Sequence, residues 1–167
     1  IMDFTHGGLT EPSLADSEIR ELIHIAHEEG FPVMAHTNGS QAVRAAALAG
    51  VDSIEHGNFC DEDALRALAA SDAIWVPTLV TIENLLGDSR FPEQVVKIIW
   101  EGQKKALHRG YELGAKLALG SDAGAYRVLH GQGVLDEYRA FREILSEDFP
   151  EWEKRIRDGD RLIKERF

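Results

Sequence analysis

Residues 31–57 read FPVMAHTNGSQAVRAAALAGVDSIEHG, and this stretch decides the fold. A short apolar run over 31–35 ends at His36. An alanine-rich stretch, 39–49, follows, and a second apolar run over 51–55 ends at His56. Short apolar runs bounded by glycine and proline read as buried strands, and the longer segment between them as a helix. The rhythm continues downstream. Residues 61–71 predict a helix with Asp61 as its N-cap, whose side chain can accept from an otherwise orphaned backbone N–H. Residues 73–76 predict a strand stopped by Pro77, and 115–119 a strand leading into the small-residue turn 120–124. Strand alternating with helix implies a parallel sheet with helical crossovers.

Upstream, residues 1–4 read as the tail of a strand. Residues 13–29 read as a helix with Ile19, Leu22, Ile23 and Ala26 on one stripe. Residues 81–91 read as an irregular loop with Gly87 and Pro92 as breakers. Pro92 suits the start of a long helix reaching about Leu113. Two further helices, 134–145 and 151–166, are split by Pro150. This gives about five strands, the first partial. A closed barrel of eight βα units takes about 250 residues, so the chain is about three units short. The expected fold class is α/β, a partial (β/α)8 TIM-type barrel, with an open five-stranded sheet as the alternative. No linker divides residues 1–167, which read as one domain.

The net charge of −11 argues against nucleic acid as a partner, because phosphate binding needs a basic surface. No apolar run approaches the roughly 20 residues that span a membrane. Residues 1–8 lack the basic start and long apolar core of a signal peptide. The single cysteine, Cys60, excludes an internal disulfide and fits a reducing, cytoplasmic compartment. The chain opens on Ile1 rather than Met, which points to a segment of a longer protein.

Three side chains with metal-binding chemistry occupy equivalent places. His36 ends one strand, His56 ends the next, and Asp122 follows a third. In βα barrels, and in open α/β sheets, the carboxyl ends of the strands face the active site. Neutral imidazoles and a carboxylate are good ligands for zinc and similar ions. Such an ion lowers the pKa of its water to about 7, and a carboxylate beside it can take and return a proton. Singly, each residue is ordinary: a hydrogen-bonded histidine at a strand end, an aspartate in a turn. Their coincidence at one edge of three strands points to a metal site.

Three stretches, VMAHTNG over 33–39, SIEHG over 53–57 and LGSDAGA over 119–125, resemble the amidohydrolase superfamily. The likeness is to its imidazolonepropionase-like and Xaa-Pro dipeptidase-like branch and covers roughly residues 1–145. It implies the C-terminal part of a (β/α)8 barrel, about strands four to eight with their helices. It implies a divalent metal, zinc before others, one or two in the complete protein. His36 then matches the fifth-strand ligand, His56 the sixth-strand ligand, and Asp122 the eighth-strand ligand and catalytic general base. His130 matches a position lining the substrate pocket. His6, in the turn 5–8, falls at the active-site end as a substrate contact. The implied reaction is hydrolysis of a C–N amide bond in a cyclic amide, an N-acyl amino acid or a dipeptide.

The departures are specific. The family's first-strand His-x-His is absent; the nearest pair, His24 and His27, reads as a surface pair on a helix. The family's bridging lysine falls at about Ile1 or before it. Strands one to three and the flanking β-sandwich are absent as well. The competing reading is a non-catalytic fragment or degenerate homologue acting as an assembly module, partnered by a second copy or by the missing N-terminal half. A metal-free hydrolase is disfavoured, because Gly120-Ser121-Asp122 is not a Gly-x-Ser-x-Gly elbow. Cys60 has no Cys-His-Asn setting around it. Trp75, Trp100 and Trp152 are expected in the core or over sheet edges, His108 toward solvent, and Glu18, Glu21, Glu28 and Glu29 on a solvated helix face.

Overall fold

The structure, a computed structural model, describes residues 2–10 and 14–167. Ile1, the position nearest the family's lysine, and Ser13, the expected helix start, lie outside the described residues. The elements run β1 (Met2–Asp3), β2 (Gly8–Leu9), α1 (Asp16–Glu28), β3 (Met34–Thr37), α2 (Ser40–Leu48), β4 (Ser53–His56), α3 (Glu62–Ala70), β5 (Ile74–Val76), α4 (Val80–Glu83), α5 (Glu93–Leu113), β6 (Lys116–Leu117), α6 (Gln132–Leu145) and α7 (Trp152–Arg166).

Four strands form one parallel sheet in the order β3-β4-β5-β6, each following its neighbour in sequence. This is the βα rhythm expected, and it is consistent with part of a (β/α) barrel. Three expectations are corrected. The described part of residues 1–4 does not join this sheet: Met2–Asp3 pairs antiparallel with Gly8–Leu9 in a separate hairpin. Asp3 closes that turn by accepting from the backbone N–H of Thr5 and His6, which no apolar pattern announces. The loop expected over 81–91 opens with one helical turn, α4. Strand β3 also starts later than expected, at Met34, leaving Phe31 exposed and Pro32, which has no N–H to give, outside the ladder.

The helix ends follow local chemistry. The Asp61 carboxylate accepts from Ala64 N–H at 2.9 Å, which starts α3. Gly114, at φ +96°, closes α5 in the left-handed conformation. Register then assigns the faces. Ile54, Trp75 and Leu117 point to the helices and join one large core with Val43, Leu68, Leu107 and Phe141. Trp75 is fully buried and donates its indole N–H to His56 O at 2.9 Å. Trp100 and Trp152 are buried as expected. On the other face Ile74, Val76 and Ala118 pack against Leu162 and Ile163 of α7.

The two sheet edges differ. Beside β6, α7 takes the place of a further strand. The Asp160 carboxylate accepts from Leu119 N–H at 2.9 Å, and Gly159 abuts the Leu117 carbonyl so closely that a Cβ there would lie 1.9 Å from the oxygen. Arg166 reaches under the sheet to Asp52 O at 2.9 Å. Among the described residues no strand pairs beside β3, and Met34 is half exposed. Among the described residues no helix is long and apolar enough to cross a membrane.

Candidate metal centre

The five described non-glycine residues with positive φ are His56, Phe59, Thr78, Asp122 and Arg127. Four of them lie at or within five residues of the carboxyl ends of β4, β5 and β6, and Arg127 lies further along the loop after β6. Each such conformation costs on the order of 1–3 kcal/mol, and clusters of them mark functional sites. The strain therefore gathers at the edge that the histidines already indicated.

His36 and Glu55 are paired in register and share the face opposite the helices. Simple alternation would send His56 to the other face. Its φ of +70° takes it out of that alternation, and the His36 and His56 rings meet edge-to-face with centroids 4.5 Å apart. Gly57 must be glycine here. It has φ +66°, and a Cβ would meet Trp75 Nε1 at 2.7 Å.

A single contact orients His56. Its Nδ1 lies 2.6 Å from Thr78 Oγ1, and that hydroxyl lies 2.8 Å from the Pro77 carbonyl. With the hydroxyl proton directed to that carbonyl, which can only accept, the hydroxyl accepts from His56 Nδ1–H. Nε2 then keeps its lone pair. A hydrogen bond on one imidazole nitrogen that frees the other is the usual arrangement behind a metal-ligating histidine. Burial, reinforced by the neighbouring His36, pushes the His56 pKa down, against a smaller opposing pull from Asp122. Its imidazole is therefore neutral at pH 7, the form that binds metal.

Asp122 sits exposed in the loop after β6, where its charge reaches both His56 and Glu55. Among the described residues, no group of three His, Cys, Asp or Glu side chains converges as a ready metal cage. The two imidazoles thus fit a zinc-like ion as half of a donor set, with Asp122 nearby but outside that grouping. His130 lies on the same loop as Asp122, 3.7 Å from where a Gly124 Cβ would stand. His6 is placed elsewhere: its Nδ1 is 2.6 Å from Asp3 Oδ2 in the hairpin turn, and no described contact joins it to His36 or His56.

The sequence reading passed over Glu55 and Thr78. Glu55 stood in plain view as the residue before His56. Its carboxyl is pushed up by burial, and Ser53 Oγ donates to it at 2.6 Å. Thr78 had no local signal, because its partner is 22 positions away. Other residues behave more plainly. His24 and His27 are both exposed on α1, as expected of a surface pair, and His27 bonds Asp52 at 2.8 Å. His108, expected toward solvent, is half exposed and pairs with Asp148 at 2.8 Å. Burial pushes the Cys60 thiol up to about 12, which removes any nucleophile.

No protein-family model matches the chain. An uncharacterised protein of Mycobacterium tuberculosis is 29% identical over 144 residues, covering 80% of this chain and 37% of that protein. An ochratoxinase of Aspergillus niger is 28% identical over 112 residues, covering 63% of this chain and 23% of that protein. A solved Xaa-Pro dipeptidase with methionine bound in its active site gives a TM-score of 0.64 at 25% identity, over 90% of this chain and 40% of that one. An amidohydrolase gives 0.65 at 28% identity, over 80% of this chain and 33% of that one. The chain therefore spans well under half the length of the relatives it matches. With its parallel sheet and its likeness to a dipeptidase, an amidohydrolase and an ochratoxinase, the chain resembles part of the amidohydrolase superfamily.

Proposed function

We propose that the protein of which this chain forms a part is a metal-dependent hydrolase of C–N amide bonds, acting on a cyclic amide, an N-acyl amino acid or a dipeptide. The observation that carries this reading is the His36–His56 pair, with ring centroids 4.5 Å apart and His56 Nδ1 held by Thr78. Likeness to a dipeptidase and an amidohydrolase supports the bond type. His36 and His56 are assigned to a divalent ion, zinc before others. When bound, such an ion acidifies its water and polarises a carbonyl. Asp122 is assigned as general base, taking a proton and returning it to the departing nitrogen. His130 stands on the substrate side by its place beside Asp122, and His6 is assigned there more remotely. A cytoplasmic location belongs to the same proposal and rests on the single buried thiol of Cys60.

Elemental analysis of the purified chain, with His36→Ala and His56→Ala, tests the assignment. The reading expects zinc bound by the parent chain and lost in both variants, together with hydrolysis in an amide panel once the remaining donors are supplied. A folded chain that takes up no zinc at a micromolar excess overturns it.

The second reading, an assembly module, is favoured by the unpaired β3 edge. A cavity of about 890 Å³ opens there beside Leu9, Leu22, Met34 and His36. A second copy or the remaining barrel segment would cover it. Light scattering across a concentration series separates a monomer from an assembly.

A further inference from the structure

We propose that Glu137 is a positioning residue of the His36–His56 site, acting through the backbone of the segment after β5. The proposal rests on the reading of His56 as a ligand through Nε2, and it adds the element that fixes that ring from behind.

Glu137 lies on α6 and is completely buried. Its two carboxyl oxygens accept from consecutive backbone N–H groups, Leu79 at 2.9 Å and Val80 at 3.0 Å. Both of those residues are themselves fully buried. They are the two residues after Thr78, the residue that holds His56 Nδ1. Thr78 is a β-branched residue at φ +50°, a conformation such side chains avoid and that persists only when its surroundings enforce it. The enforcement comes from two helices. Gln103 of α5 donates to the Pro77 carbonyl at 3.2 Å, on the near side of Thr78. Glu137 of α6 holds the two N–H groups on the far side. The chain of contact thus runs from Glu137 to Leu79 and Val80, to Thr78, to His56 Nδ1.

A buried carboxyl is an unusual choice for this task. Burial pushes it up to about 8 against the two backbone bonds that favour the charged form. A merely structural need for packing would be met by leucine. Two adjacent orphan N–H groups need a residue with two acceptor atoms on one short fork, which only a carboxyl provides.

The test reads the His56 ring directly by two-bond ¹⁵N–¹H correlation spectroscopy, at a pH where the ring is neutral. The parent chain is expected to show Nδ1 protonated and Nε2 bare. Glu137→Gln keeps the shape but offers one acceptor and turns an NH2 toward the second N–H. It is expected to shift the ratio of the two tautomers about fivefold toward Nε2–H, the effect of weakening one ordinary hydrogen bond. If that variant does not fold, Glu137→Asp, which keeps both oxygens but draws them back by one methylene, is expected to give a smaller shift in the same direction. Leu145→Ala, a buried change on the same helix away from Thr78, controls for simple destabilisation and is expected to leave the ratio unchanged. An unchanged ratio in the folded Glu137 variants overturns the proposal. So does an equal shift in Leu145→Ala, or a parent chain with Nε2 protonated. Zinc uptake is read separately: a parent chain that shows the tautomer shift but binds no zinc sinks the proposed function and leaves Glu137 as positioning residue intact.

Discussion

Replacing Gly159 with alanine sets two physical effects against each other. Gly159 lies inside α7, where alanine is the better helix former by about 1 kcal/mol. Propensity alone therefore predicts stabilisation. The packing predicts the opposite. A Cβ at this position would lie 1.9 Å from Leu117 O, 2.6 Å from Leu117 C and 3.2 Å from Ala118 N. These are backbone atoms of β6 and the residue after it and cannot swing aside, so α7 must retreat by roughly 1.5 Å to reach ordinary contact. That retreat lengthens the Asp160–Leu119 bond from 2.9 Å and loosens Leu162 and Ile163 from Ile74, Val76 and Ala118. Overpacking of this kind costs about 1–3 kcal/mol, and the weakened hydrogen bond about 1 kcal/mol more. After the propensity gain, the net destabilisation is about 2 kcal/mol. In a chain of this size that lowers Tm by roughly 4–8 °C. Gly102→Ala is the matched control: Gly102 lies in α5 and a Cβ there meets nothing within 4 Å, so it is expected to stabilise slightly. Calorimetry of the two variants decides the matter. A Tm for Gly159→Ala equal to or above that of the parent chain would refute the docking of α7 on the edge of β6.

Thr78→Ala removes the acceptor behind His56 Nδ1 and is expected to weaken zinc binding about 10–100-fold, while Thr78→Ser, which keeps the hydroxyl, retains most of it; isothermal titration measures both. His56 binds its proton more weakly when folded, so its contribution to stability is present above about pH 6.5 and lost as pH falls from there toward its depressed value. Glu137 binds its proton more tightly when folded, so its contribution is full below the ordinary glutamate range and lost as pH rises through about 8. Urea midpoints are expected to fall between about pH 5 and pH 8 and to level off above it, and Glu137→Gln to flatten that fall; a parent midpoint that rises between pH 7 and pH 8 contradicts the assignment. Cys60, with its thiol at about 12 and its sulfur donating to Gly57 O at 3.1 Å, is expected to resist a thiol reagent at pH 8 until urea unfolds the chain.

The sequence by itself determined what depends on neighbours along the chain. The apolar runs ending at His36 and His56 set the strands of the parallel sheet, and Asp61 and Gly114 set helix ends by capping chemistry confined to a few residues. It also brought His36, His56 and Asp122 to one edge, because consecutive parallel strands all point the same way. The tertiary structure alone decided how that edge is assembled. The left-handed turn at His56 overrides the strand alternation and swings its ring toward His36. Thr78 reaches it across 22 positions, and Glu137 steadies the segment beyond Thr78 across 58. The capped β6 edge was invisible, since it follows from where α7 docks. The physical reason is range. Periodicity and caps report on residues within a helical turn or a strand, whereas buried polar contacts form between residues that only the finished fold makes neighbours.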